Sequence, residues 1–227
     1  MTQDIGLLFD HARPDRIGLP EAFFCQGKHL SVLEKFLAEL GPAPERPTLF
    51  TRLEPDIFNQ LPPNLTAGLD YHPISRTAFH RSLRRPGPQP KPSRVAVVSA
   101  GSADAFVTWE AARTLEYLGV DRTVYEDSGV AGLWRLTGRL DEINAHQVII
   151  VVAGLDAALA SVLGGLTPRP VFAVPTSVGY GQAQAGLTAL NSMLVSCSPG
   201  LGVFNIDNGY GAACAAARVI NLIGPPA

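Results

Sequence analysis

Five apolar runs alternate with segments of helical periodicity in the second half of the chain: RVAVVSA from Arg94, RTVYED from Arg122, VIIVVAG from Val148, VFAVP from Val171 and GVFNID from Gly202. Near-continuous Val and Ile runs, each followed by one helix, indicate strands buried on both faces. The pattern therefore predicts an α/β fold with a doubly wound parallel sheet rather than an antiparallel one. Upstream, PEAFFCQGK and PTLFTRL read as short strands around SVLEKFLAEL, whose Val32, Leu33, Phe36, Leu37 and Leu40 fall on one helical face. The stretch from Glu54 to Ser82 mixes a short helical pattern with Pro62, Pro63 and Pro73 and yields no strand. RRPGPQPKP, residues 84–92, holds four prolines and a glycine with no apolar residue, so neither helix nor central strand continues through it. The predicted organisation is a small amino-terminal α/β module over 1–83, a Pro-rich linker over 84–92 and a larger domain over 93–227.

The 46% hydrophobic content of 227 residues is enough for one core of roughly 130 residues and a smaller module. A formal charge of −2 gives no electrostatic footprint for nucleic acid or an anionic membrane, so a small-molecule ligand is the expected partner. Cys25, Cys197 and Cys214 are odd in number and widely spaced, which suits neither a disulfide framework nor a zinc site and points to a reducing cytoplasm. The amino terminus lacks a signal-peptide pattern, and no run approaches the ~18 apolar residues of a membrane span. DAALASVLGGL and GAACAAARVINLI carry so little polar surface that one face is expected against the sheet and another against a neighbouring subunit, which predicts a homo-oligomer.

In a doubly wound sheet all strand-to-helix turns lie at one edge, so turns far apart in sequence converge on one site. Here they are polar and glycine-rich. The first offers Gly101, Ser102 and Asp104, as a phosphate-binding turn or an ordinary capping turn. The second offers Asp127, Ser128 and Gly129, with Asp127 a ligand contact or an N-cap. The third places Gly154 and Asp156 at the mouth of an apolar helix, where desolvation would raise the carboxyl pKa as a general acid or base needs, or where Asp156 simply caps. The fourth, PTSVGYGQAQAG, with Thr176, Ser177 and Gly179, is long enough for a lid or a phosphate nest. The fifth ends a strand with Asn205, Asp207, Asn208 and Gly209 before an Ala-rich helix, a setting that favours anions. Cys197, flanked by Ser196, Ser198, Pro199 and Gly200, is a candidate nucleophile expected near these turns, whereas Cys25 and Cys214 read as packing. The histidines, His11, His29, His72, His80 and His146, lie outside the turns. No triphosphate-binding loop or paired-Cys metal motif is present.

SAGSAD, EDSGVAG, VAGLDAALASVLGGL, PVFAVPTSVGYG and SCSPGLGVFNIDNGYGAA, in this order, resemble the LarB family of nickel-pincer cofactor biosynthesis, and DHARPDRIGLPEAFFCQGK resembles its opening segment. The resemblance implies a flavodoxin-like, three-layer domain related to the PurE carboxylases. It also implies conversion of nicotinic acid adenine dinucleotide and CO2 or bicarbonate to pyridinium-3,5-biscarboxylic acid mononucleotide, with release of AMP. No tightly bound cofactor is implied, and Mg²⁺ as an aid to phosphoanhydride cleavage stays open. Thiolate addition makes ring carbon C5 nucleophilic toward CO2, which gives Cys197 the role of nucleophile, Asp156 that of base and Asp127 that of orienting the ring or a water. The glycine turns with Ser102 and Asp104 would hold phosphates and ribose, and the relation to PurE suggests an octamer. The family usually carries a hydroxyl residue where this chain has Ala103, and glutamate where it has Asp156. Alternatives are a PurE-type aminoimidazole ribonucleotide carboxylase or mutase, whose second and third turns carry histidines absent here, and a non-catalytic pyridine-nucleotide sensor.

Overall fold

The larger unit is built on one parallel sheet of β5 (Val95–Ser99), β6 (Arg122–Tyr125), β7 (Val148–Ala153), β8 (Val171–Pro175) and β9 (Leu201–Val203). The computed structural model describes residues 8–41, 44–45, 47–83 and 93–224, and the Pro-rich segment 84–92 lies outside them. Two compact units divide between Leu83 and Arg84.

In the smaller unit β1 (Ala22–Phe24) pairs in parallel with β2 (Leu49–Thr51), while β3 (Asp70–His72) and β4 (Thr77–Phe79) form an antiparallel hairpin that adds to β2. The hairpin falls in the stretch where the sequence pattern yields no strand. Its strands are three residues each and DYH carries no apolar alternation, so their pairing depends on β2 rather than on local pattern. Of the helices α1 (Arg13–Ile17), α2 (Leu30–Leu40), α3 (Pro55–Gln60) and α4 (Pro63–Thr66), α2 buries Leu33, Phe36 and Leu37 against the sheet. Phe23 stacks on Phe36 at 4.5 Å between ring centroids, and Cys25 is buried with them, its thiol pushed up to about 12 by desolvation. Cys25 is a packing residue.

In the larger unit the strand order is β6-β5-β7-β8-β9, all parallel, with Val95 opposite both Arg122 and Val148. Counted within this unit the order is second, first, third, fourth, fifth, so the direction of winding reverses between β5 and β7. The central strands β5 and β7 are buried at every position, which is why their sequences are continuous Val and Ile, whereas the edge strands β6 and β9 are mostly half-buried. Helices α5 (Ala105–Tyr117) and α10 (Gly209–Ile223) cover one face. The other carries α8 (Ala158–Gly164) and α9 (Leu187–Leu194), with α6 (Trp134–Thr137) and α7 (Leu140–Asn144) beside them. Ile149 and Val151 pack with Leu159, Leu163, Ala189 and Met193 in one buried cluster, each Ile, Val, Leu or Met side chain contributing about 1.5–3 kcal/mol of hydrophobic stabilisation. This is the predicted doubly wound, three-layer α/β architecture.

α10 lies close against α5 because Gly209 has no side chain: a Cβ there would stand 2.5 Å from the Val107 carbonyl oxygen. Among the described residues no helix is long and apolar enough to cross a membrane.

Candidate functional site

The turns after β5, β6, β7 and β8 enclose a cavity of about 790 Å³ at the carboxyl edge of the sheet, opening where the winding reverses between β5 and β7. Crevices outside the strand ends at such a reversal are where open α/β sheets bind ligands, because the crossing helices diverge there. Close approach of the turns makes the walls. Gly129 abuts the first turn, where a Cβ would be 2.7 Å from the Ala100 oxygen, and at Gly154 a Cβ would be 2.6 Å from both Thr176 Oγ1 and the Val178 oxygen. Of the eight non-glycine residues with positive φ among the described residues, six (Asp127, Leu155, Ala157, Gln184, Ala185 and Asp207) lie in the turns after β6, β7, β8 and β9. Left-handed backbone outside glycine costs about 1–2 kcal/mol per residue, so the strain is concentrated at this edge.

One carboxylate fastens three turns. Asp104 is buried; its Oδ2 accepts from the Gly101 N–H at 2.9 Å and its Oδ1 from the Thr176 hydroxyl at 2.7 Å, and the Gly154 N–H also bonds to it. Burial pushes its carboxyl above the usual range, the three hydrogen bonds oppose this, and the charge of Asp207 adds to the rise. The cavity floor is apolar, formed by Ala153, Ala157 and Val178. Among the described residues Arg135 is the one cationic side chain on the wall, held by Asp127 Oδ1 at 2.7 Å. Tyr180, 88% exposed, stands at the rim beside Leu155. The cavity can enclose a planar ring on its apolar floor, present Arg135 to a phosphate and offer the Asp156 carboxylate for proton transfer.

Of the sixteen residues singled out from the sequence, Gly101, Asp104, Gly129, Gly154 and Asp156 line this cavity. Asp156 is exposed and its Oδ1 accepts from the Ala158 N–H at 3.3 Å, which removes the desolvation expected of it. Asp127 lines a neighbouring hollow instead. Ser102 is exposed off the wall, and Ser128 is fully buried with its hydroxyl donating to the Tyr125 oxygen. Thr176 is spent on Asp104, the Ser177 N–H on Asp207 Oδ1, and Gly179 gives the chain its reversal at φ 140°.

The fifth turn departs from its expected role as an anion site. Most of its amides already have partners: Asp207 N–H donates to the Pro175 oxygen, Asn208 N–H to the Asn205 oxygen, Gly211 N–H to Asn208 Oδ1 and Tyr210 N–H to Glu110 Oε2. Asn205, Asp207, Asn208 and Gly209 brace the edge and do not line the cavity.

Cys197 is also displaced from its expected neighbourhood. It lies in the connection from α9 to β9, where Ser198 Oγ donates to the Ser161 oxygen of α8 and Ser196 Oγ bonds Ser161 Oγ. A residue before a parallel strand sits at the amino edge of the sheet. The length of β8, four steps of ~3.3 Å, separates that edge from the cavity within one chain. Cys197 is exposed, and beside it Leu194 and Val195 are 63% and 80% exposed.

Sequence reasoning passed over Arg135, Tyr180 and Gln182, all on the wall. The signal for Arg135 was present: it is the first cation after the second turn, three residues past Gly132. Among the described residues no group of three or more His, Cys, Asp or Glu is placed to hold a metal ion.

The AIR carboxylase family matches residues 94–225, and the LarB/PurE-like N-terminal domain matches residues 3–82. An uncharacterized protein of Methanocaldococcus jannaschii is 42% identical over 135 residues, 59% of this chain and 52% of that protein, so the chain spans about half the length of this relative. The N5-carboxyaminoimidazole ribonucleotide mutase of the same organism is 32% identical over 133 residues, 56% of this chain and 79% of that protein. A crystal structure of a Treponema denticola PurE2 variant is similar with a TM-score of 0.47 at 21% identity, over 57% of this chain and 80% of that one. The chain belongs to the AIR carboxylase family and carries a LarB/PurE-like N-terminal domain ahead of that match.

Proposed function

We propose that the protein is a pyridinium-3,5-biscarboxylic acid mononucleotide synthase, which carboxylates nicotinic acid adenine dinucleotide at C5 of its pyridinium ring and hydrolyses the phosphoanhydride to release AMP. The observation that carries this reading is the joining of a LarB/PurE-like amino-terminal domain to a carboxylase fold in one chain. The cavity supports it with an apolar floor for the ring, Arg135 for the pyrophosphate and a solvent-facing Asp156. A cysteine thiolate adds to the ring, and the electron pair displaced to C5 attacks CO2. Asp156 then takes the C5 proton and the thiolate leaves, restoring aromaticity.

Because Cys197 and the cavity lie at opposite edges of the sheet, the thiolate in this reading comes from a neighbouring copy. The apolar Leu194 and Val195 beside it are the contact surface that would seat it. The homo-oligomer is therefore part of the proposal, as is a cytoplasmic setting that keeps the thiol reduced; neither a resident cofactor nor Mg²⁺ is required by these steps.

The test is incubation of purified protein with nicotinic acid adenine dinucleotide and labelled bicarbonate, with mass spectrometry of small molecules and intact protein. A labelled dicarboxylated mononucleotide with AMP, and a mass adduct lost in Cys197→Ser, is expected. An unchanged dinucleotide would overturn the reading. A second reading, a mutase acting on aminoimidazole ribonucleotide, is favoured by the 32% identical relative of that name. Turnover of that ribonucleotide would select it.

A further inference from the structure

A second hollow of about 400 Å³ adjoins the main cavity and is lined by Asp127, Trp134, Arg135, Gly138 and Arg139. Arg135 lines both hollows, so the two are joined at a guanidinium. Trp134 opens α6 with 73% of its surface exposed, an unusual position for the largest aromatic side chain. Its neighbours in the structure are Arg135 and Gly132. Arg135 Cζ lies 5.6 Å from the indole centroid, and Arg135 is itself anchored by Asp127 at 2.7 Å. Both side chains fold back over Gly132, where a Cβ would stand 3.1 Å from Arg135 Nε and 3.2 Å from Trp134 Nε1. Arg139 is aimed along the same wall, with Nη1 donating to the Glu126 oxygen at 2.8 Å. A flat apolar platform thus stands beside two guanidiniums and one carboxylate.

An exposed indole flanked by guanidiniums is matched by a planar base carrying a phosphate. The base gains stacking on the ring, and the phosphate meets the arginine fork, which recognises it in a bidentate manner. We propose that this hollow is a nucleotide subsite in which Trp134 stacks the base of a nucleoside monophosphate moiety, Arg135 takes its phosphate at the junction and Arg139 flanks it. The inference rests on the dinucleotide reading in that this moiety is the adenylate half, leaving the pyridinium half to the main cavity.

The experiment is calorimetric titration of the full chain with AMP, with inorganic phosphate as comparator, on the wild type and on Trp134→Ala and Trp134→Phe, with sedimentation of each protein to follow its assembly. AMP affinity is expected to fall about tenfold in Trp134→Ala and to return in Trp134→Phe, with phosphate affinity and sedimentation unchanged. Equal AMP affinity in wild type and Trp134→Ala would overturn the subsite. A loss of assembly in Trp134→Ala would also overturn it, by making the indole an interface residue. The titration needs no turnover: AMP binding through Trp134 with an unconsumed dinucleotide would retain the subsite and reject the substrate, while dinucleotide turnover indifferent to Trp134 would do the reverse.

Discussion

The two edges of the larger sheet are unlike. At the carboxyl edge stand five turns with six left-handed non-glycine residues, a buried carboxylate that ties three turns together and a cation on a cavity wall. At the amino edge the connections are short, His146 is buried, and the exposed Cys197 has apolar Leu194 and Val195 beside it. Among the described residues no cysteine lines the cavity at the carboxyl edge, while Cys197 stands at the amino edge, where the charged Arg94, Asp121 and Arg169 precede their strands and none of them reaches the cavity wall. In the proposed mechanism the thiol and the acid of one chain would face apart, and a neighbouring copy stacked edge to edge would bring them together.

Mixing copies gives the sharpest test of that contrast. Cys197→Ser is expected to lose activity by at least roughly 10⁴-fold and Asp156→Asn by roughly 10²–10⁴-fold. Unfolding the two together and refolding them as a mixture should restore on the order of a quarter of the wild-type rate if each site draws on two copies. No recovery would mean that both groups act within one chain. A smaller effect separates the edges by packing: Gly154→Ala should destabilise by about 1–3 kcal/mol, read as a lower midpoint in thermal unfolding, because its Cβ meets Thr176 and the Val178 carbonyl. At Gly200 nothing stands within 4 Å of a Cβ, and there only the positive φ opposes alanine. The smallest effect belongs to His146. Burial holds its pKa below 6.5, so the unfolded chain takes up the proton first and stability falls as pH drops through about 6.5. Thermal unfolding between pH 7.5 and 5.5 should show a shallower loss in His146→Gln than in the wild type.

The alternation of Val/Ile runs with helical segments made the five parallel strands and the three layers legible, because burial on both faces leaves a strong signature in β5 and β7. The hairpin of β3 and β4 was not legible, since DYH and TAF acquire their meaning only beside β2. The site was legible by turn and not by residue. A turn of Asn, Asp and Gly reads alike whether its amides await a ligand or are already satisfied, and here Glu110 satisfies one from 100 residues away. Likewise Cys197 is near the fifth turn along the chain, but a whole strand lies between them in space.

Asp104 couples the turns it touches. Because a single carboxylate holds Gly101, Gly154 and Thr176, the three loops cannot loosen in turn: freeing any one strips a partner from a buried charge and weakens the hold on the other two. The pocket should breathe as a single cooperative unit, so that a ligand arriving at one wall tightens the others without touching them.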